Sequence, residues 1–178
     1  CQLPPAITVS HDMPTHADAW LLVVPTQHLR AVIPLLPPTA RNLAVCAKGV
    51  EAGTLRLPLE ILAEARPDIP AAILSGPNFA HEIAAGLPAA AVIAATDAGL
   101  REAIATRLGT ASFRLYGNED PIGAQLGGAA KNVIAIAAGA VMGAGLGENA
   151  RAALITRGLA ELGRLAVSQG GRMETVMG

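Results

Sequence analysis

Lys131 stands in the stretch GGAAKNVIAIAAG (Gly127–Gly139) and is the only charged residue between Ala124 and Gly147. An ammonium among Gly, Ala and Ile gives up water without an obvious partner, which is costly unless its charge or its proton is used. On a helix its neighbours three, four and seven positions away are Ala124, Gly127, Gly128, Ile134, Ala135 and Ala138, all but Ile134 being Gly or Ala. The lysine therefore stands in a groove cleared of bulk, where a substrate or another backbone can pack, and Asn132 adds a hydrogen-bonding group one residue on. A desolvated ammonium near a second cation would have a lowered pKa, suited to exchanging a proton near neutrality. The competing reading is a surface lysine whose stem lies along the protein with its head in water.

The elements that must position this lysine alternate. Five short apolar runs read as buried strands: AWLLVV (Ala19–Val24), LAVCA (Leu43–Ala47), AAIL (Ala71–Leu74), AAAVIAA (Ala89–Ala95) and SFRLY (Ser112–Tyr116). AAAVIAA reads equally as a helix segment. Between the runs lie helical patterns at Gln27–Leu36, Pro58–Arg66, Phe79–Ala85 and Asp97–Leu108. Strand and helix in turn predict an α/β fold with a mostly parallel sheet. After Tyr116 the turn cluster GNEDPIG (Gly117–Gly123) leads into two long helical patterns, Ala124 to about Met142 and Ala150 to about Ser168, the second capped by Asn149. A domain boundary is placed near Gly117–Pro121, dividing the chain into residues 1–118 and 119–178.

In an open parallel sheet, ligands gather at the carboxyl ends of the strands. The first strand runs into Pro25-Thr26-Gln27, the second into Lys48-Gly49 and the third into Ser75-Gly76-Pro77-Asn78. Side by side these loops offer a cation, small polar groups and glycines that let a ligand approach the backbone. The SGPN loop also opens a helix, whose free N–H groups favour an anion, although an ordinary Gly-Pro turn reads the same way. GAGLG (Gly143–Gly147) is a loop between helices and not a dinucleotide fingerprint, because Glu148 stands where its last glycine is required.

Composition narrows the class. Apolar residues make up 52% and charged ones 15%, which excludes a disordered chain, and a net charge of −1 without a basic block points away from nucleic acid. With aromatics at 2%, the core must be built from close-packed small side chains. Cys1 and Cys46 form no CxxC pair, so a reducing compartment fits best. His11 and His16 flank Asp12 in a Pro-containing loop, and with His28 and His81 they form no HExxH pattern, so no metal is expected. The apolar stretch Val133–Leu146 is shorter than the roughly 18 residues of a membrane span and is read as a buried helix.

These residues carry a likeness. GGAAKNVIAIAAGAVMGAGLGENARAALITRGLAEL (Gly127–Leu162) closely resembles the helical-domain pattern of the bacterial-type NAD(P)-dependent glycerol-3-phosphate dehydrogenases. CAKGVEAGT (Cys46–Thr54), SGPNFAHEIAAGLPAAAV (Ser75–Val92) and VVPTQHLR (Val23–Arg30) resemble the family's other internal motifs, in the same order. The resemblance implies a Rossmann-type nucleotide domain followed by an all-α substrate domain, each incomplete here. It implies interconversion of sn-glycerol 3-phosphate and dihydroxyacetone phosphate with NAD or NADP, in the cytoplasm, for glycerophospholipid synthesis, by a homodimer. Lys131 would be the catalytic proton donor and acceptor. Lys48 would contact both nicotinamide cofactor and substrate, Gly76 and Asn78 substrate, and Ala80 cofactor. Asn78 departs from the Ser or Thr usual there and is longer, which weakens that contact.

The family's opening strand and Gly-rich phosphate loop have no counterpart before Cys1, and its Gly-Leu-Gly-Asp and Arg-Asn segments would lie beyond Gly178. These residues alone are therefore expected to bind cofactor poorly and to turn over little. A related β-hydroxyacid dehydrogenase or ketopantoate reductase would also use a helix lysine, but with a different spacing to its asparagine. A non-catalytic nucleotide-binding module would leave Lys131 without a task.

Overall fold

A computed structural model describes residues 6–177. In chain order its elements are β1 (Trp20–Leu22), α1 (Leu29–Val32), β2 (Leu43–Val45), α2 (Pro58–Ala65), β3 (Ala71–Ser75), α3 (Ala80–Ala84), β4 (Ala89–Ala94), α4 (Ala98–Leu108), β5 (Phe113–Asn118), α5 (Pro121–Gly143), α6 (Gly147–Ser168) and α7 (Met173–Met177). All five apolar runs form strands of one sheet, in the spatial order β1-β2-β3-β4-β5. Pairs β1–β2, β2–β3 and β4–β5 are parallel, while β3–β4 is antiparallel through Ile73–Ala94, Leu74–Ile93 and Ser75–Val92. The result is a mostly parallel, Rossmann-type sheet followed by helices.

Alternation along the strands builds a core on each face. Leu43, Val45 and Ile73 point one way, into a layer with Leu29, Ile33, Ile61 and Leu62 from α1, α2 and the turn between them. Ala44, Ala72 and Ile93 point the other way, beneath Leu100 and Ile104 of α4. Fully burying one such branched side chain contributes about 1.5–3 kcal/mol. A third cluster joins Leu57 to Leu126, Leu162, Ala166 and Val176, fastening the helical part to the sheet part.

Several expected boundaries move. The single helix expected over Gln27–Leu36 is broken into a 3-10 turn (Thr26–His28), the one-turn α1, and a second 3-10 turn (Ile33–Leu35). Pro34 lacks an N–H and crowds the preceding residue, so a longer α-helix cannot be sustained. Helix α5 starts at Pro121, earlier than expected, because proline suits a first turn and the Asp120 side chain caps it by accepting from the Gly123 N–H. Helix α6 starts at Gly147, not at an Asn149 cap: Gly145 (φ 70°) and Gly147 (φ 82°) turn the chain tightly enough for it to re-enter helix at once.

The expectation of a buried helix over Val133–Leu146 fails: within that stretch only Ala138 is buried. Gly123–Gly127 of α5 are buried, whereas Val133 is 67% exposed, Ile136 73% and Leu146 63%. By length and composition alone α5, with 23 residues, is long and apolar enough to cross a membrane. Its first turns are instead docked on the sheet. The buried Gln125 accepts from the Leu59 N–H at 2.9 Å and donates to the Pro121 carbonyl at 2.8 Å, satisfying a free donor in the first turn of α2.

The loop after β2 is clamped from the segment after β1. Buried Thr26 donates to the Lys48 carbonyl at 2.8 Å. Gln27 donates to the Val50 carbonyl and accepts from the Ala52 N–H, both at 2.8 Å. Arg30 forks onto Glu51 at 2.9 and 2.8 Å, and Thr54 donates to the same carboxylate at 2.5 Å. The Arg30 guanidinium, helped by Thr54, pulls the Glu51 carboxyl from 4.5 down to about 2. A carboxylate depressed in the folded state stabilises the protein above its unfolded pKa, and that contribution is lost as pH falls through the folded value. Between pH 4.5 and about 2, Glu51→Gln is therefore expected to show a shallower loss of stability than the unaltered protein, measured as unfolding midpoint against pH. Equal slopes would show that the clamp contributes nothing in this window.

Candidate active site

Helix α5 crosses from the end of β5 to the carboxyl ends of β2 and β3, and its small residues let it lie there closely. A Cβ added to Gly128 would stand 3.2 Å from Ser75 Oγ and 3.6 Å from Lys48 Cγ, so the bare backbone face is what admits these side chains. Gly76 is equally constrained: a Cβ there would come within 3.0 Å of the Ala90 carbonyl and Ala91 Cα on the antiparallel neighbour β4, and within 2.7 Å of Asn78 Nδ2. Gly49 takes φ 115°, a left-handed conformation that turns the chain sharply after Lys48.

Between these surfaces lies a cavity of about 460 Å³. Lys48, Ser75, Gly76 and Pro77 line it from the strand ends, and Gly127, Gly128, Lys131 and Asn132 from α5. Asn118, Gly123, Glu174 and Thr175 complete its wall. Lys48 Nζ donates to the Gly76 carbonyl at 2.9 Å, which spans the gap between the two strand-end loops. Two cations thus face one small-residue cleft, an arrangement suited to an anionic ligand whose oxygen exchanges a proton.

The expected residues divide. Lys131, Lys48 and Gly76 share the cavity, while Asn78 and Ala80 lie outside its lining. Asn78 rests against Gly76, and Ala80 is exposed as the first residue of α3. One expectation fails. Lys131 is exposed, so desolvation by the surrounding Gly and Ala is absent; small side chains clear space but do not themselves cover an ammonium. The SGPN loop does lead, through Phe79, into a helix, but α3 has only five residues and receives no side-chain cap from Asn78. The Pro25-Thr26-Gln27 loop reaches Lys48 through hydrogen bonds to its loop and does not line the cavity.

Sequence reasoning missed Asn118, Glu174 and Thr175. Asn118 ends β5, two residues beyond the apolar run that closes at Tyr116, and the pairing through Ala94 sets it level with Ile73, close enough to the end of β3 to line the cavity. Glu174 and Thr175 belong to α7, too short to show a hydrophobic period. Cys46, two residues before Lys48, is half-buried, and burial pushes its thiol up to about 11, away from nucleophilic use. Among the described residues no group of three or more His, Cys, Asp or Glu could hold a metal ion.

Known proteins resemble this chain in sequence and in fold. The family model for the N-terminus of NAD-dependent glycerol-3-phosphate dehydrogenase matches residues 1–101, and that for its C-terminus matches residues 120–178. A relative from Gluconobacter oxydans described as glycerol-3-phosphate dehydrogenase [NAD(P)+] is 52% identical over 99% of this chain and 55% of its own length. One of the same description from Acidiphilium cryptum is 60% identical over 88% of this chain and 48% of its own length. The crystal structure of glycerol-3-phosphate dehydrogenase from Coxiella burnetii superposes with a TM-score of 0.81 at 43% identity, over 89% of this chain and 49% of that one. The chain spans about half the length of the curated relatives it matches. With both family models matched in order and the two lysines in one cleft, the chain belongs to the NAD-dependent glycerol-3-phosphate dehydrogenase family.

Proposed function

We propose that the full-length protein interconverts sn-glycerol 3-phosphate and dihydroxyacetone phosphate with NAD or NADP. The observation that carries this reading is the convergence of Lys131 and Lys48 on one cavity beside Gly127 and Gly128. Residues 1–118 are read as the latter part of the dinucleotide-binding domain and residues 119–178 as the start of the substrate domain. Lys48, at the cavity, and Ala80, the first residue of α3, are the residues that would meet the nicotinamide cofactor. When bound there, the nicotinamide accepts or returns the hydride.

The chain's own residues handle charge and proton. In the reducing direction, the Lys131 ammonium lies where the carbonyl oxygen gains negative charge, and its proton passes to that oxygen as the alcohol forms. In the oxidising direction the hydroxyl proton returns to the Lys131 amine. Lys48, its head set by the Gly76 carbonyl, presents a second positive charge to the anionic substrate, and Gly76 borders the substrate with Asn78 behind it, outside the lining. Cytoplasmic placement, assembly as a homodimer and supply of glycerol 3-phosphate to glycerophospholipid synthesis complete the proposal; their support is the family likeness.

In the full-length protein, Lys131→Met is expected to lower kcat for dihydroxyacetone phosphate reduction by about 100- to 10,000-fold, with the nucleotide KM little changed. Retention of normal turnover would remove Lys131 from the chemistry and the reading with it. A second pair of variants tests the cleared groove. Gly128→Ala is expected to raise stability by about 0.5–1 kcal/mol through helix propensity, at little cost in rate, because Ser75 Oγ can rotate away. Gly128→Val, with no such escape from Lys48 and Ser75, is expected to lower kcat/KM on the order of 10- to 100-fold. Equal kinetics for the two variants would show that the groove is not used.

A further inference from the structure

Asp120 is a buried carboxylate with no part in the proton and hydride steps above. It is 5% exposed and sits where β5, α5 and α7 meet. Its Oδ1 accepts from the Gly123 N–H at 2.8 Å, at the start of α5. Its Oδ2 accepts from the Arg172 N–H at 2.7 Å, just before α7. The Thr175 side chain packs beside the same carboxylate. Burial raises the Asp120 carboxyl, but the Gly123 and Arg172 N–H groups and the Thr175 hydroxyl outweigh burial and hold it below its ordinary value.

The backbones at this junction touch. A Cβ on Gly171 would lie 2.9 Å from the Gly123 nitrogen, and one on Gly123 would collide with the Asp120 carboxylate itself. With no side chains between the two segments, the carboxylate fastens them from inside. Glu119 pairs with Arg172 at 2.5 Å on the outer, exposed side, where an ion pair contributes little. Glu174 and Thr175, immediately beyond the tether, line the cavity that holds Lys131 and Lys48. Lys131 itself lies about three helical turns along α5 from the same carboxylate.

We propose that Asp120 is a positioning residue for this cleft: by accepting from the first turn of α5 and from the lead-in to α7, it fixes where Glu174 and Thr175 stand relative to Lys131. The proposal rests on the dehydrogenase reading and concerns the wall opposite the strand ends, because Lys48 is held separately by the Thr26, Gln27 and Arg30 clamp. A carboxylate suits the task where an amide does not. Both of its oxygens accept, whereas asparagine offers one acceptor and turns an N–H toward the second donor.

The test compares full-length protein with Asp120→Asn, Thr175→Val and the double variant. Asparagine still caps a helix, so α5 is retained while the tether to Arg172 is lost. For Asp120→Asn, kcat for dihydroxyacetone phosphate reduction is expected to fall by about tenfold or more, with the nucleotide KM within about twofold. Amide exchange is expected to quicken over residues 172–175 but not over α2 or α4. Thr175→Val is expected to lower kcat similarly, and the double variant to add little to either change.

Wild-type kcat in Asp120→Asn, additive effects in the double variant, or a general loss of amide protection with nucleotide KM rising in step would overturn the proposal. Should Asp120→Asn fail to fold, Thr175→Val decides, and unaltered kcat there counts against it. A wild-type protein that does not reduce dihydroxyacetone phosphate would sink the dehydrogenase reading instead. Local exchange over residues 172–175 would still tell whether Asp120 holds α7, and unchanged exchange there would overturn the tether.

Discussion

The close approach of α5 to the ends of β2 and β3 is the contact on which the rest of the site depends. It exists because Gly128 leaves that side of the helix without a side chain, so Ser75 and the Lys48 stem can lie against backbone. Each interior glycine weakens a helix by roughly 1 kcal/mol relative to alanine. The helix is held regardless, because its start is over-determined: Pro121 presets the first turn, Asp120 caps it, and Gln125 bonds it to the first turn of α2. Lys131 comes nearly two turns beyond the last of these contacts, close enough to inherit their placement.

The two lysines reach the cleft by independent routes. Lys131 is delivered by a long helix anchored at one end. Lys48 is delivered by a short loop whose backbone is gripped at Lys48, Val50 and Ala52 by Thr26 and Gln27, and whose Glu51 is gripped by Arg30. The polar character of VVPTQHLR, read as candidate ligand contacts because it follows a strand, is spent on holding a neighbouring loop. Distance along the sheet explains the difference: β1 is one strand further from α5 than β2.

Much of this was legible in the residues. Buried strands announce themselves as short apolar runs because both faces must be covered, and Leu43–Val45 and Ala71–Ser75 appear close to where those runs predict. Direction is not written in such a run: AAAVIAA gives the same pattern either way up, so the antiparallel β3–β4 pairing was out of reach, and Asn118 was missed because it lies past the apolar run, in what reads as a turn. The small residues around Lys131 correctly marked a close approach. They could not report how much of the ammonium stays in water, which depends on elements distant in sequence. Glu174 and Thr175 were invisible because α7 has only five residues, less than two turns of period. The Asn149 cap failed because two left-handed glycines solved the same turn first.

The hydrogen bond from Lys48 to the Gly76 carbonyl has an electrostatic sequel. A carboxylate in that position would fix the side chain and also cancel its field. A peptide oxygen fixes it while carrying no net charge, so the ammonium's full unit of charge still projects into the cleft. Two of its three hydrogens stay free to turn toward an arriving anion, and none need be wrested from a competing acid. The strand-end loop thereby acts as a mount for the cation and leaves its attraction intact.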